Sequence, residues 1–189
     1  MNDKVRLLEI IKSRRNTKNF PTEDVSRENI ELLLESAVWA PNHRNTEPWR
    51  FFVVPKNSKT RHKIADGMIE LQEKESSRVL NESQKNSINT QILEAPCMLF
   101  VYSVTDDDSE ITEENYAAVC CAIQNLQLTA TTIGLGVGWS TGKVSRIENM
   151  HKILGAEESL KITGVLTIGY PEGVPGNTRT EYESLTKWL

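Results

Sequence analysis

Paired cysteines, a basic excess, an unbroken apolar run and the common catalytic signatures are all missing from this chain of 189 residues. Its three cysteines, Cys97, Cys120 and Cys121, are odd in number and show no C-x-x-C spacing. That indicates neither a disulfide framework nor a zinc site, and a reducing cytoplasm suits them best. The net charge of -4 and a pI near 5.5 argue against a general nucleic-acid binder, since proteins that track phosphates carry a basic face or helix. The most apolar long stretch, Tyr116 to Gly134, is interrupted by Gln124, Asn125 and Gln127, so no membrane span is expected. Nor does Met1-Asn2-Asp3-Lys4 open into the apolar run of a signal peptide. There is no G-x-S-x-G, no H-E-x-x-H and no Cys/His set with ligand spacing, so no side chain is singled out as nucleophile or metal base. His62 and His151 fall in helical patterns among polar neighbours and are expected to be solvated.

What is present is an ordinary globular composition, 38% hydrophobic and 25% charged, of a length that suits one domain over 1–189. Val5, Leu8 and Ile11, with Leu7 and Ile10, form a helical stripe ending near Arg14. Ser26 is placed to cap a second helix, carried by Ile30, Leu33, Leu34, Ala37 and Val38 until Pro41 stops it. Three apolar runs read as strands: Phe51–Val54, Cys97–Val104 and Ile162–Tyr170. Helices are expected over 58–72, 113–133 and 145–154, and Asp106-Asp107-Asp108 as a turn without the spacing of a calcium loop. The polar stretch 73–91 suggests a loosely packed helical excursion or lid. The tail, 177–189, carries Leu185, Trp188 and Leu189 and should pack on the core or on a partner subunit. Helices around three or four strands without regular alternation point to an α+β sandwich.

Three short segments carry the chemistry. Ser13-Arg14-Arg15-Asn16-Thr17-Lys18-Asn19-Phe20 sets three cations within five residues at a helix end. They could grip a multiply charged anion, or simply favour the helix C-terminus. Ala40-Pro41-Asn42-His43-Arg44-Asn45-Thr46-Glu47-Pro48-Trp49-Arg50-Phe51 is rich in hydrogen-bonding side chains and stiffened by two prolines. Gly136-Val137-Gly138-Trp139-Ser140-Thr141-Gly142 reads as a glycine-rich turn whose backbone can come close to a ligand. It lacks the G-x-G-x-x-G spacing of a dinucleotide fold. Alone, His43 reads as a surface-loop histidine and Trp139 equally as a core aromatic.

In this order and at these distances, the segments resemble those of the FMN-dependent nitroreductase family. The family has an early Arg-Arg-Ser-x-Arg/Lys segment and a later Ala-Pro-Ser-x-x-Asn-x-Gln-Pro-Trp-x-Phe segment. The resemblance implies a three-layer sandwich with a central, mostly antiparallel sheet flanked by helices, in a homodimer with FMN at the subunit interface. It places Arg14, Arg15, Asn16 and Lys18 on FMN, with Pro41, Asn42, His43 and Asn45 reaching the partner subunit's flavin. Trp139, Ser140 and Thr141 would run along the ring, and Arg179, after Gly169-Tyr170-Pro171, would grip the phosphate. Asn16 stands where serine is usual, Asn42-His43 where a Ser-Ser pair is common, and Glu47 where glutamine is expected; a carboxylate there needs Arg44 or Arg50 beside it. The activity implied is oxidoreduction: NAD(P)H reduces the flavin at N5, and a nitroaromatic, quinone or other small electrophile reoxidises it by a ping-pong sequence. A dehalogenase or dehydrogenase reaction on the same scaffold, an FMN-binding sensor, and a structural interaction protein are the alternatives.

Overall fold

A four-stranded antiparallel sheet lies between two layers of helices. The computed structural model describes residues 3–173, 176 and 178–189. Met1 and Asn2, Val174 and Pro175 of the turn after Tyr170, and Asn177 of the tail lie outside them. The elements are α1 (Asp3–Ser13), α2 (Arg27–Ala37), β1 (Trp49–Pro55), α3 (Thr60–Ser76), α4 (Glu82–Leu93), β2 (Cys97–Val104), α5 (Ser109–Thr132), β3 (Gly136–Ser140), α6 (Met150–Leu154) and β4 (Leu160–Gly169). Strand order is β1-β2-β4-β3.

β2 explains the layering. It is buried along nearly its whole length because successive side chains enter opposite cores. Cys97, Leu99 and Val101 join Leu33, Ala37, Val119, Ile123 and Leu126 on the α2/α5 side. Met98, Phe100 and Tyr102 join Ile64, Met68, Ile88, Ile92 and Met150 on the α3/α4/α6 side. A strand covered on both faces needs an unbroken apolar run, as its sequence has.

Local signals set the helix starts. Ser26 accepts from Asn29 N at 3.2 Å, and Asp108 accepts from Glu110 N at 2.9 Å, so the aspartate run is the entry to α5. Asn81 and Gln84 form a reciprocal capping box at the start of α4. Residues 73–91 are therefore better packed than their polarity suggested: Leu80 and Ile88 are buried. Arg61, 1% exposed, fastens α3 to both neighbours by donating to Val54 O (2.8 Å) and Ile92 O (2.6 Å).

Three local readings change. Gly136–Ser140 is a strand paired with β4, not a turn. His151 is half-buried, its Nε2 2.8 Å from Leu160 O and its ring against Tyr102, so it is not solvated. The tail does not pack on its own core, since Tyr182, Leu185, Trp188 and Leu189 are all exposed. No helix among the described residues is long and apolar enough to cross a membrane.

Candidate functional site

The segment after α1 lies edge-on to β3. Asn16 bridges Val137 in parallel, Thr17 N donates to Val137 O at 3.1 Å, and Asn16 Oδ1 accepts from Trp139 N at 2.6 Å. This close approach requires glycine, because a Cβ on Gly138 would run into the Thr17 carbonyl. Asparagine at 16 thus orients the 139–142 segment. The Trp139 indole lies over Gly164, leaving no room there for a Cβ, so its side chain is a packing element.

Two concavities flank the docked segment. The first, about 220 Å³, is lined by Arg14, Arg15, Thr17, Gln127, Gly136 and Pro171, among others. Arg14 donates to Gln127 Oε1 at 2.9 Å. Its pKa is lowered by burial, and further by the neighbouring positive charges of Arg179 and Arg15. Arg14 and Arg15 lining a small concavity, with the charge of Arg179 acting on Arg14, are suited to an anion of more than one charge. The second, about 390 Å³, holds Lys18, Asn19, Thr90, Gln91 and Thr167. Among the described residues the Lys18 ammonium has no hydrogen-bond or ion-pair partner. Thr90 and Gln91 were not legible as site residues, since they come from a stretch without a motif, on a helix that is polar and exposed along most of its length.

The 41–47 loop lies elsewhere in the protomer. His43 Nδ1 is 2.7 Å from Glu114 Oε1, and Thr46 donates to Asn115 Oδ1 at 2.8 Å. Both partners are near the start of α5, whereas Arg14 binds Gln127 thirteen residues on, about 20 Å along the axis. Arg44, Asn45 and Glu47 all have positive φ, 56°, 53° and 43°, and such strain in non-glycine residues marks a loop whose shape is imposed. Asn42 Oδ1 holds it by accepting from Glu47 N at 3.0 Å; Pro41 and Asn45 are exposed. Arg50 reaches Glu47 through the backbone carbonyl at 3.1 Å, and among the described residues the Glu47 carboxylate has no partner. One protomer therefore gathers Arg14, Arg15, Asn16, Lys18, Trp139, Ser140, Thr141 and Arg179, and leaves Pro41, Asn42, His43 and Asn45 at the far end of α5.

The sequence model of the nitroreductase family matches residues 11–170. The chain belongs to the nitroreductase family. YfhC of Bacillus subtilis, which is named an NAD(P)H nitroreductase, is 32% identical over 89% of this chain and 86% of its own length. A nitroreductase-like family protein from Bacillus cereus superposes with a TM-score of 0.81 at 28% identity, covering 97% of this chain and 95% of that one. A nitroreductase from Desulfovibrio desulfuricans solved in complex with FMN has a TM-score of 0.74 at 21% identity, over 97% and 96% of the two chains; at that identity it shares the fold. The family match spans all three motif segments, so the nitroreductase fold accounts for their order along the chain.

Proposed function

We propose that the chain works as a homodimeric, FMN-dependent NAD(P)H oxidoreductase. The observation that carries this reading is the docking of residues 14–20 on β3. It sets the Arg14, Arg15 and Arg179 cluster beside one concavity and Lys18 beside the next. Those arginines would hold the phosphate, and Lys18, with Thr90 and Gln91, the pyrimidine edge, where an ammonium favours the charge gained on reduction. FMN held there would supply the redox chemistry, a two-electron transfer from NAD(P)H to a nitroaromatic, quinone or similar electrophile. Asn16 orients the 139–142 backbone that borders the ring.

The same geometry supports the dimer. A site needing both the arginine cluster and the His43 loop cannot form in one protomer with α5 between them. Two α5 helices packed antiparallel about the Cys120–Cys121 midpoint set Glu114 of each beside the Gln127 region of the other. The stripe Ala117, Cys121, Gln124 and Leu128 is exposed or half-buried, repeats at heptad spacing and contains the small residues that close packing uses. Exposed Val5, Leu7, Leu8 and Ile11 of α1 and the apolar tail are further surface for a second copy to cover.

The decisive measurement is the visible spectrum of the purified protein, followed anaerobically through NADH and NADPH addition, with the released cofactor identified by mass. A yellow protein that releases FMN and bleaches with a pyridine nucleotide supports the reading. A colourless protein that FMN cannot reconstitute refutes it.

A further inference from the structure

Between the end of α3 and the start of α4 lies a groove of about 520 Å³, lined by Gln72, Glu75, Arg78, Gln84 and Lys143, among others. None of the three motif segments forms it. Its charge is unbalanced: the Glu75 carboxylate is shared by Lys143 (3.6 Å) and Arg146 (3.3 Å). Among the described residues the Arg78 guanidinium has no hydrogen-bond or ion-pair partner. Nearby, Lys74 pairs with Glu148 and Lys85 with Glu73. Two cations, Arg78 and Lys143, thus line the groove with one carboxylate, Glu75.

The groove and the concavity that holds Lys18 share α4 as a wall. Lys143 directly follows Trp139–Gly142. Along α4, Gln84 lines this groove and Gln91 the one that holds Lys18. They are seven residues apart, on the same face of the helix and about 10 Å from each other, with exposed Ser87 between. Polar residues of α4 therefore lie between the two concavities.

We propose that this groove is an anion subsite for the 2′-phosphate of NADPH, so that the protein takes NADPH in preference to NADH. The inference rests on the flavoreductase reading and names the reductant of that site. A guanidinium forks onto phosphate oxygens and an ammonium adds a point charge; NADH offers only a hydroxyl at that position. A dinucleotide lying along α4 would place its reactive end near Lys18 and its phosphate near Arg78.

The test is the ratio of kcat/KM for NADPH to that for NADH, measured on the FMN-loaded dimer. Wild type should favour NADPH, and Arg78→Ala and Lys143→Ala should each lower the ratio by about tenfold, the effect of losing one charged hydrogen bond. Arg78→Lys should keep part of it. A wild-type ratio near one, or an unchanged ratio in both alanine variants, overturns the proposal. Calorimetry with 2′,5′-ADP and 5′-AMP needs no turnover: 2′,5′-ADP should bind more tightly, and the difference should vanish in Arg78→Ala. Equal affinities in wild type refute the subsite. Preferential 2′,5′-ADP binding without oxidation of either nucleotide would instead refute the reductase reading and leave the subsite standing.

Discussion

Arg14 combines partial burial with two like-charged neighbours, a costly arrangement that an anionic ligand relieves. Arg14→Ala and Lys18→Ala should therefore raise the dissociation constant for FMN about tenfold or more, or lower its reduction potential, while the circular dichroism spectrum is retained. Unchanged flavin affinity and potential in both variants would remove these residues from the site. Elsewhere, burial pushes the Cys97 thiol up to about 11 and the Tyr102 phenol up to about 12, from 9.0 and 10.0. Both groups are neutral in the fold, so their contribution is complete below pH 9 and is lost as pH rises from there towards 12. Denaturation midpoints should fall across that range, and less steeply in Tyr102→Phe. Because the Tyr102 hydroxyl has no partner among the described residues, Tyr102→Phe should cost less than about 1 kcal/mol at pH 7 in urea unfolding.

At the scale of elements, β3 and the residues after α1 form one unit. Glycine at 138 lets the Thr17 backbone reach the strand, so the glycine-rich pattern reports a neighbouring chain as much as a ligand. Gly138→Ala should destabilise the fold by about 1–3 kcal/mol through overpacking and release FMN disproportionately, read by denaturant titration beside flavin content. A variant that loses stability yet keeps full flavin affinity would separate the docking from the site. The strand character of Gly136–Ser140 was hidden in the sequence because glycine is a poor strand former, and only the Asn16 and β4 partners stabilise it. β2, by contrast, was legible because both of its faces are buried. Thr90 and Gln91 escaped notice because a polar helix position looks the same whether it faces water or a ligand.

For the whole molecule, the exposed tail and α1 face are the surfaces that the proposed dimer would cover. Deleting residues 181–189 removes Tyr182, Leu185, Trp188 and Leu189, exposed by 65%, 75%, 89% and 109%. The truncated protein should dissociate at concentrations where the full chain is a dimer in sedimentation experiments, and should lose FMN with it. A truncated chain that stays monomeric and keeps tight FMN binding would argue that one protomer suffices.

The sequence by itself determined the two-sided β2 run, the Ser26 cap of α2, and the family, because periodicity, capping and motif order are local properties. It also singled out Arg14, Arg15, Asn16 and Lys18 as one segment along the chain. Only the tertiary structure decided which of the three segments meet. It set residues 14–18 against β3, drew Arg179 to Arg14, and held the His43 loop some 20 Å away along α5. It also brought Arg78 and Lys143 to one groove across 65 residues of chain. Such pairings depend on how layers pack, and no local pattern encodes them.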